Sequence, residues 1–141
     1  IIMSNKVLPE VSFHHVALSV SDFNKSLEFY TKGLGFSLYR TWISGAGKKI
    51  ALIDMGNGTY FEVFSDGAKN LHACDDAGSF FHLALKVKDT RAAFERALEY
   101  GAKPNTAPKH VDIPSDPILP VDLSFVEGPD GEQIEFFQPE E

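Results

Sequence analysis

The chain has 141 residues, of which 43% are hydrophobic and 23% are charged, and its formal net charge is −7. These values suit one compact domain, and the negative charge argues against nucleic acid or an anionic membrane surface as a partner. No apolar run approaches the roughly 20 residues that a bilayer requires. Cys74 is the single cysteine, so no disulfide within the chain is possible and a cytoplasmic location is expected.

The first half of the chain predicts a strand, a helix and three further strands. After an N-terminal extension (residues 1–11), a first module is expected over residues 12–65. Its strands are expected at Val11 to Val20, Phe36 to Ile43, Ile50 to Met55 and Tyr60 to Phe64. Between the first two strands, Ser21 or Asp22 can cap a helix that runs to about Lys32.

The second half predicts the same order of elements. A polar linker (residues 66–79) leads into a second module (residues 80–138), and a short tail (residues 139–141) follows. The strands of this module are expected at Phe80 to Val87, Ala102 to Ala107, Leu123 to Val126 and Gln133 to Phe137. Asp89 can cap its helix, and the proline-containing stretch from Lys109 to Pro120 is expected to be a loop bordering a site.

The two halves are related by an internal repeat. The stretch from Phe13 to Asp22 returns as Phe80 to Asp89, 67 residues later, with Phe, His, Ala, Leu, Val and Asp in register. The stretch from Asn57 to Phe64 is matched by Asp130 to Phe137, 73 residues later. The pattern predicts a duplicated module that carries a histidine near its start and a glutamate near its end.

Each module has one histidine and one glutamate in the middle of otherwise apolar strands. The four residues are His15, Glu62, His82 and Glu135. Burying a bare carboxylate costs several kcal/mol, so each glutamate must be solvated, paired or metal-bound. Singly, such a histidine is more often hydrogen-bonded and such a glutamate more often lies on an exposed edge, but the recurrence in both modules favours a metal site. Mixed nitrogen and oxygen donors suit Zn, Ni, Co, Fe or Mn better than Ca.

The strand faces that carry these donors also carry aromatic residues and a lysine, which are expected to line a substrate pocket. They are Phe13, Tyr60, Phe64, Phe80, Lys86 and Phe137. In a pocket, the aromatic side chains would exclude water and Lys86 would attract an anionic substrate. The alternative for the aromatic side chains is packing in the core, and the alternative for Lys86 is an ordinary surface position. Trp42 shares its predicted strand face with Leu38 and Arg40, so it is expected at the cleft or at a subunit contact.

Three motifs resemble a known superfamily. The patterns His15-Val-Ala-Leu-Ser-Val-Ser-Asp22, Ser26-Leu-Glu-Phe-Tyr30 and Leu34-Gly-Phe36 resemble the opening of the vicinal oxygen chelate superfamily, which includes glyoxalase I, bleomycin-resistance proteins and extradiol dioxygenases. The ending Pro129-Asp-Gly131 followed by Ile134-Glu135 is similar to its closing motif. The resemblance extends from about Ser12 to Gln138. It implies an α+β fold in which two βαβββ modules form a curved, cleft-enclosing mixed sheet.

The resemblance also implies that His15, Glu62, His82 and Glu135 are the metal ligands. Among superfamily members, this set of four is closest to that of bacterial glyoxalase I. Ser19 stands where bacterial glyoxalase I has an Arg for the glutathione carboxylate, so the cosubstrate stays open.

The function expected from these features is that of a divalent-metal-dependent lyase or isomerase. The metal would bind two neighbouring oxygens of a small substrate and stabilise an enediolate, while Glu135 or Glu62 transfers the proton, with Glu135 preferred. The alternatives are a non-catalytic drug-binding protein of the bleomycin-resistance kind and an extradiol-type dioxygenase. A homodimer is expected, because a single pair of modules leaves sheet edges uncovered.

Overall fold

The computed structural model describes residues 13–67, 82–113 and 117–140. In the first module the elements are β1 (His15–Ser19), α1 (Phe23–Glu28), β2 (Ser37–Ile43), β3 (Lys49–Gly56) and β4 (Thr59–Phe64). In the second they are β5 (Leu83–Lys86), α2 (Thr90–Glu99), β6 (Lys103–Ile113), β7 (Leu119–Glu127) and β8 (Gln133–Pro139). The order of elements predicted for the first module is confirmed, as is that of the second.

Each module forms one four-stranded mixed sheet. The strand orders are β1-β4-β3-β2 and β5-β8-β7-β6, so the two sheets have the same topology. In each sheet the first strand runs parallel to the fourth, and the remaining pairs are antiparallel. The predicted α+β fold with two βαβββ modules is thereby confirmed, and the described strands form two separate four-stranded sheets.

Both helices begin at the aspartates that the sequence indicates. The Asp22 carboxylate accepts the Lys25 backbone N–H at 3.0 Å, and the Asp89 carboxylate accepts that of Ala92 at 2.9 Å. These bonds satisfy donors that the first helical turn leaves unpaired. Helix α1 continues as a π-helical turn over Phe29–Gly33, so helical structure extends as far as predicted.

The helices of both modules and the faces of the sheets behind them form a single hydrophobic core. Its buried members include Val20, Phe29, Tyr30, Ile53, Phe61 and Val63 from the first module and Phe94, Ala97, Val126, Ile134 and Phe136 from the second. Val16 and Leu18 pack against this core, as their alternation with His15 and Ala17 predicts. The opposite faces of the sheets carry His15, Glu62 and Glu135.

Polar contacts also join the two modules. The Tyr30 hydroxyl donates to the Glu132 carboxylate at 2.5 Å, and the Asp130 carboxylate accepts the Ser21 backbone N–H at 2.9 Å. Burial raises the pKa of Tyr30 well above its usual value, and the neighbouring Glu132 charge adds to this. Burial also raises the pKa of the Glu132 carboxyl, although the Tyr30 hydrogen bond opposes that shift.

The loop predicted from Lys109 to Pro120 is wrong in its first part and at its end. Residues Lys103–Ile113 form one long strand, and β7 already begins at Leu119. Strand β6 lies at the edge of its sheet and has two register shifts, around Asn105 and between Thr106 and Lys109. The prolines that favoured a loop, at positions 114, 117 and 120, come after the last residue of β6, so residues 109–113 contain no proline and continue the strand. Residues 114–116 lie outside the described residues.

The predicted shared face of Leu38, Arg40 and Trp42 is also wrong. A register shift pairs Leu38 with Ile53 but Arg40 with Leu52, so Tyr39 is an extra residue in β2. One extra residue inverts the alternation of faces beyond it. Arg40 and Trp42 therefore lie on the sheet face opposite to that of Leu38.

Candidate metal and substrate site

In the first module His15 and Glu62 form one donor pair. β1 and β4 are adjacent and parallel, and Ala17 is the register partner of Glu62. His15 therefore lies diagonally across from Glu62 on the same face of the sheet. Its Nε2 is 3.2 Å from Glu62 Oε2, and the two side chains are 43% and 16% exposed.

In the second module His82 and Glu135 form an equivalent pair. Ala84 is the register partner of Glu135 in the parallel strands β5 and β8. His82 Nε2 is 3.2 Å from Glu135 Oε2, the same distance as in the first module, and the side chains are 29% and 10% exposed. The pseudo-symmetry that the sequence repeat predicts thus extends to the geometry of these side chains.

The geometry of each pair fits two ligands of a divalent cation. Two donor atoms about 2.1 Å from an ion and 3.2 Å from each other subtend roughly 100° at the ion, between octahedral and tetrahedral angles. Imidazole nitrogen with carboxylate oxygen is a donor set for first-row transition metals. Within the described residues no three or more His, Cys, Asp or Glu side chains converge on a metal position. The described donors of one chain therefore lie in two pairs.

The other predicted pocket residues lie in different surroundings. Tyr60 and Phe64 share the donor face with Glu62, while Phe61 and Val63 between them are buried in the core. Phe137 is the register partner of Lys86, next to the pair of Glu135 and Ala84. Phe13 and Lys86 line a groove of about 730 Å³ between the modules, together with Leu34, Phe36, Leu83 and Leu85. Phe80 lies outside the described residues.

Three further residues beside His15 have no assigned role in the sequence-based reasoning. His14 Nδ1 is 2.9 Å from His15 Nδ1, and the His14 ring is 5.0 Å from the Tyr60 ring. The Tyr39 and Tyr60 ring centroids are 5.3 Å apart. The Arg40 guanidinium lies 4.1 Å from the Tyr39 ring centroid. We call His14, Tyr60, Tyr39 and Arg40 the aromatic strip. A β-bulge creates it, and no glycine or proline at that position signals the bulge in the sequence.

The comparisons with known proteins agree with the fold. Residues 12–136 match the family model of the glyoxalase/bleomycin resistance protein/dioxygenase superfamily. A lactoylglutathione lyase of Salmonella typhimurium is 30% identical over 126 residues, which cover 88% of this chain and 90% of that protein.

Two solved structures have the same fold at lower identity. A glyoxalase family protein from Enterococcus faecalis superposes with a TM-score of 0.72 at 22% identity and covers 92% of this chain and 97% of its own. TnmS3, an antibiotic binding protein from Streptomyces sp. CB03234, superposes with a TM-score of 0.65 at 22% identity and covers 92% and 97%. No helix among the described residues is long and apolar enough to cross a membrane.

Proposed function

Because the chain belongs to the glyoxalase/bleomycin resistance protein/dioxygenase superfamily, we propose that it is a divalent-metal-dependent lyase or isomerase of the glyoxalase I type. Its substrate is a small molecule with two neighbouring oxygens. The observation that carries the proposal is the pair of matched His–Glu contacts, each 3.2 Å long, on equivalent strands of the two modules. The similarity to a lactoylglutathione lyase supports this reaction class.

In this proposal the complete site lies between two copies of the chain. His15 lies on β1, and His82 immediately precedes β5. Both strands lie at the edges of their sheets. Edge strands leave backbone groups open to pairing with a second chain. A homodimer with two-fold symmetry brings His15 and Glu62 of one copy to His82 and Glu135 of the other, and it creates two equal sites.

The residues of the site have separate roles. The four donors His15, Glu62, His82 and Glu135 would hold the cation, which when bound would act as a Lewis acid on the substrate oxygens. Glu135 would take the proton from the carbon that bears the hydroxyl oxygen and return it to the adjacent carbonyl carbon, so the substrate is isomerised without loss of atoms. We assign this role to Glu135 because its side chain is 10% exposed, against 16% for Glu62, and is therefore better shielded from solvent water.

Metal binding and proton exchange test the proposal directly. Isothermal titration of the metal-stripped protein with Ni, Co, Zn, Mn and Fe(II) should show tight binding, and Glu62→Gln should weaken it by more than about tenfold. Glu99→Gln, which changes an exposed carboxylate on α2, is the matched control and should leave affinity unchanged. Solvent deuterium should enter the substrate carbon when the loaded protein is given the methylglyoxal–glutathione adduct or simpler 2-hydroxy carbonyl compounds. Absence of metal binding would favour a binding protein, and oxygen uptake with Fe(II) would favour a dioxygenase.

Mixing two inactive variants tests whether the site is shared. Glu62→Gln and Glu135→Gln each disable every site in their own dimers. If each site takes one module from each copy, a mixed dimer has one intact site out of two, so an equimolar mixture should recover about a quarter of wild-type activity after subunit exchange. No recovery, with dimer exchange verified by mass spectrometry, would place the site within one chain.

A further inference from the structure

The aromatic strip lies beside His15 in the first module. The rings of His14 and Tyr39 each contact the Tyr60 ring, both at an interplanar angle of 34°. Tyr39 is 45% exposed, and Trp42, on the same face, is 41% exposed. Partly exposed aromatic side chains beside a potential site offer apolar contact area to a planar ligand.

Arg40 adds a positive charge at a defined distance from the donor pair. The register of β2, β3 and β4 places Arg40, Leu52 and Glu62 in one row across the sheet. Two strand spacings separate Arg40 from Glu62, which is about 10 Å between their Cα atoms. One guanidinium nitrogen donates to the Tyr39 backbone carbonyl at 2.9 Å, which fixes the group above the Tyr39 ring. The side chain is otherwise exposed, so its remaining N–H groups are open to an anion.

The equivalent row of the second module shows that the duplicated fold does not require this arrangement. There Thr106, Phe125 and Glu135 occupy the three places. The fold itself is thus compatible with a neutral residue where the first module has arginine. Arg40, Tyr39 and Tyr60 therefore belong to the first module alone.

We infer that the substrate is a flat aromatic acid whose ring packs against the exposed side of Tyr39 and whose acidic group binds Arg40. Its two neighbouring oxygens lie at the opposite end, at His15 and Glu62. That orientation depends on the proposed function, whereas ring packing and anion binding depend only on the strip. A para-substituted ring spans the gap between the two ends, and no peptide-like cosubstrate is needed to fill it.

Three small acids separate the parts of this inference. 4-Carboxymandelate has vicinal oxygens, a ring and a distal carboxylate; mandelate lacks the distal carboxylate, and 2-hydroxyadipate lacks the ring. Binding is measured by calorimetry and by the fluorescence of Trp42, the single tryptophan of the chain. We expect 4-carboxymandelate to bind about tenfold more tightly than either of the other two. Equal affinities, or no binding of 4-carboxymandelate, would overturn the inference.

Two substitutions assign the preference to the strip. Arg40→Leu should remove the tenfold advantage over mandelate and leave mandelate binding unchanged, while Tyr39→Leu should remove the advantage over 2-hydroxyadipate. Arg91→Leu, at an exposed position on α2, is the control for loss of a positive charge, and thermal unfolding verifies that each variant is folded. An equal loss for all three acids in Arg40→Leu would contradict a specific role.

The same measurements distinguish this inference from the proposed function. If the protein discriminates among the acids but binds no metal, the proposed function fails and the inference about the ligand stands. If it binds metal and exchanges the substrate proton without discriminating among the acids, the inference fails and the proposed function stands.

Discussion

Replacing Tyr30 with Phe tests the polar contact that joins the two modules inside their common core. Tyr30 is fully buried, and its hydroxyl donates to Glu132 Oε1 at 2.5 Å. The other Glu132 oxygen accepts the Asp130 backbone N–H at 2.8 Å. Tyr30→Phe keeps the ring and its edge-to-face contact with Phe61, at 4.6 Å between centroids, and removes only one hydrogen-bond donor.

The expected loss of stability follows from the charge and burial of the acceptor. A hydrogen bond to a charged group contributes about 1.5–3 kcal/mol, so the free energy of unfolding at pH 8 should fall by about 2 kcal/mol. For a chain of this size that corresponds to a melting temperature lower by roughly 4–8 °C. A smaller loss is expected at low pH, where Glu132 takes up a proton.

The sign of the pH dependence is fixed by Glu132. Its pKa in the folded protein is raised, so its contribution to stability is full below its ordinary value near 4.5 and declines as pH rises through the folded pKa. The Tyr30 hydrogen bond limits that rise. In Tyr30→Phe the folded pKa rises further, so stability should decline more steeply between pH 5 and pH 8 than in the wild type.

Urea unfolding at pH 5 and at pH 8 measures both effects. Protein concentration is held constant, because dimer formation would add to stability. Tyr100→Phe is the matched control, since the Tyr100 hydroxyl accepts a hydrogen bond from the exposed Arg96 at 3.2 Å; its effect should stay within about 0.5 kcal/mol. A loss in Tyr30→Phe of less than about 0.5 kcal/mol at pH 8, or an equal loss at both pH values, would refute the reasoning.

Three other changes have defined outcomes. Asp130→Ala removes the carboxylate that accepts hydrogen bonds from the Ser21 backbone N–H and the Ser26 hydroxyl. The free energy of unfolding in urea should fall by about 1–3 kcal/mol. A loss no larger than that of a surface variant would show that water replaces these contacts. The hydrogen bond with Asp122 is the main reason why the pKa of His110 lies above its ordinary 6.5. His110 therefore stabilises the fold below about pH 6.5 and does so less as pH rises through the folded pKa. His110→Asn should make the melting temperature less dependent on pH over that window, and an unchanged pH profile would contradict this. Gly67→Ala would place a methyl group 2.6 Å from the Ser19 backbone, so we expect it to lower stability by about 2 kcal/mol or more, and a wild-type melting curve would show that the backbone shifts freely.

Much of the fold could be predicted from the sequence because local signals agree with one another. The strand containing Glu62 alternates strictly, so the exposed face and the buried face could both be assigned. Asp22 and Asp89 are good helix N-caps at the right distance from an amphipathic stretch. The pairing of His15 with Glu62 and of His82 with Glu135 follows the repeat, although the metal itself stays a prediction.

The remainder depends on contacts that no short stretch of sequence encodes. The extra residue at Tyr39 inverts the faces of β2 beyond it, and nothing in its neighbours signals a bulge. Prolines at positions 114, 117 and 120 predicted a loop over the whole stretch from residue 109, yet residues 109–113 pair with β7 and continue β6. The bond between Tyr30 and Glu132 joins residues 102 positions apart, so it depends on how the modules pack, which the periodicity of each module leaves undetermined.

The single core has a consequence for how the two halves of this duplicated chain can diverge. Tyr30 and Ala97 occupy equivalent places in the repeat, and both are buried in the same interior. A close-packed interior accommodates a fixed total volume, so two tyrosines would not fit there and two alanines would leave a void. Substitutions in one half must therefore be offset in size by the other, and the symmetry of the backbone is maintained by asymmetric side chains.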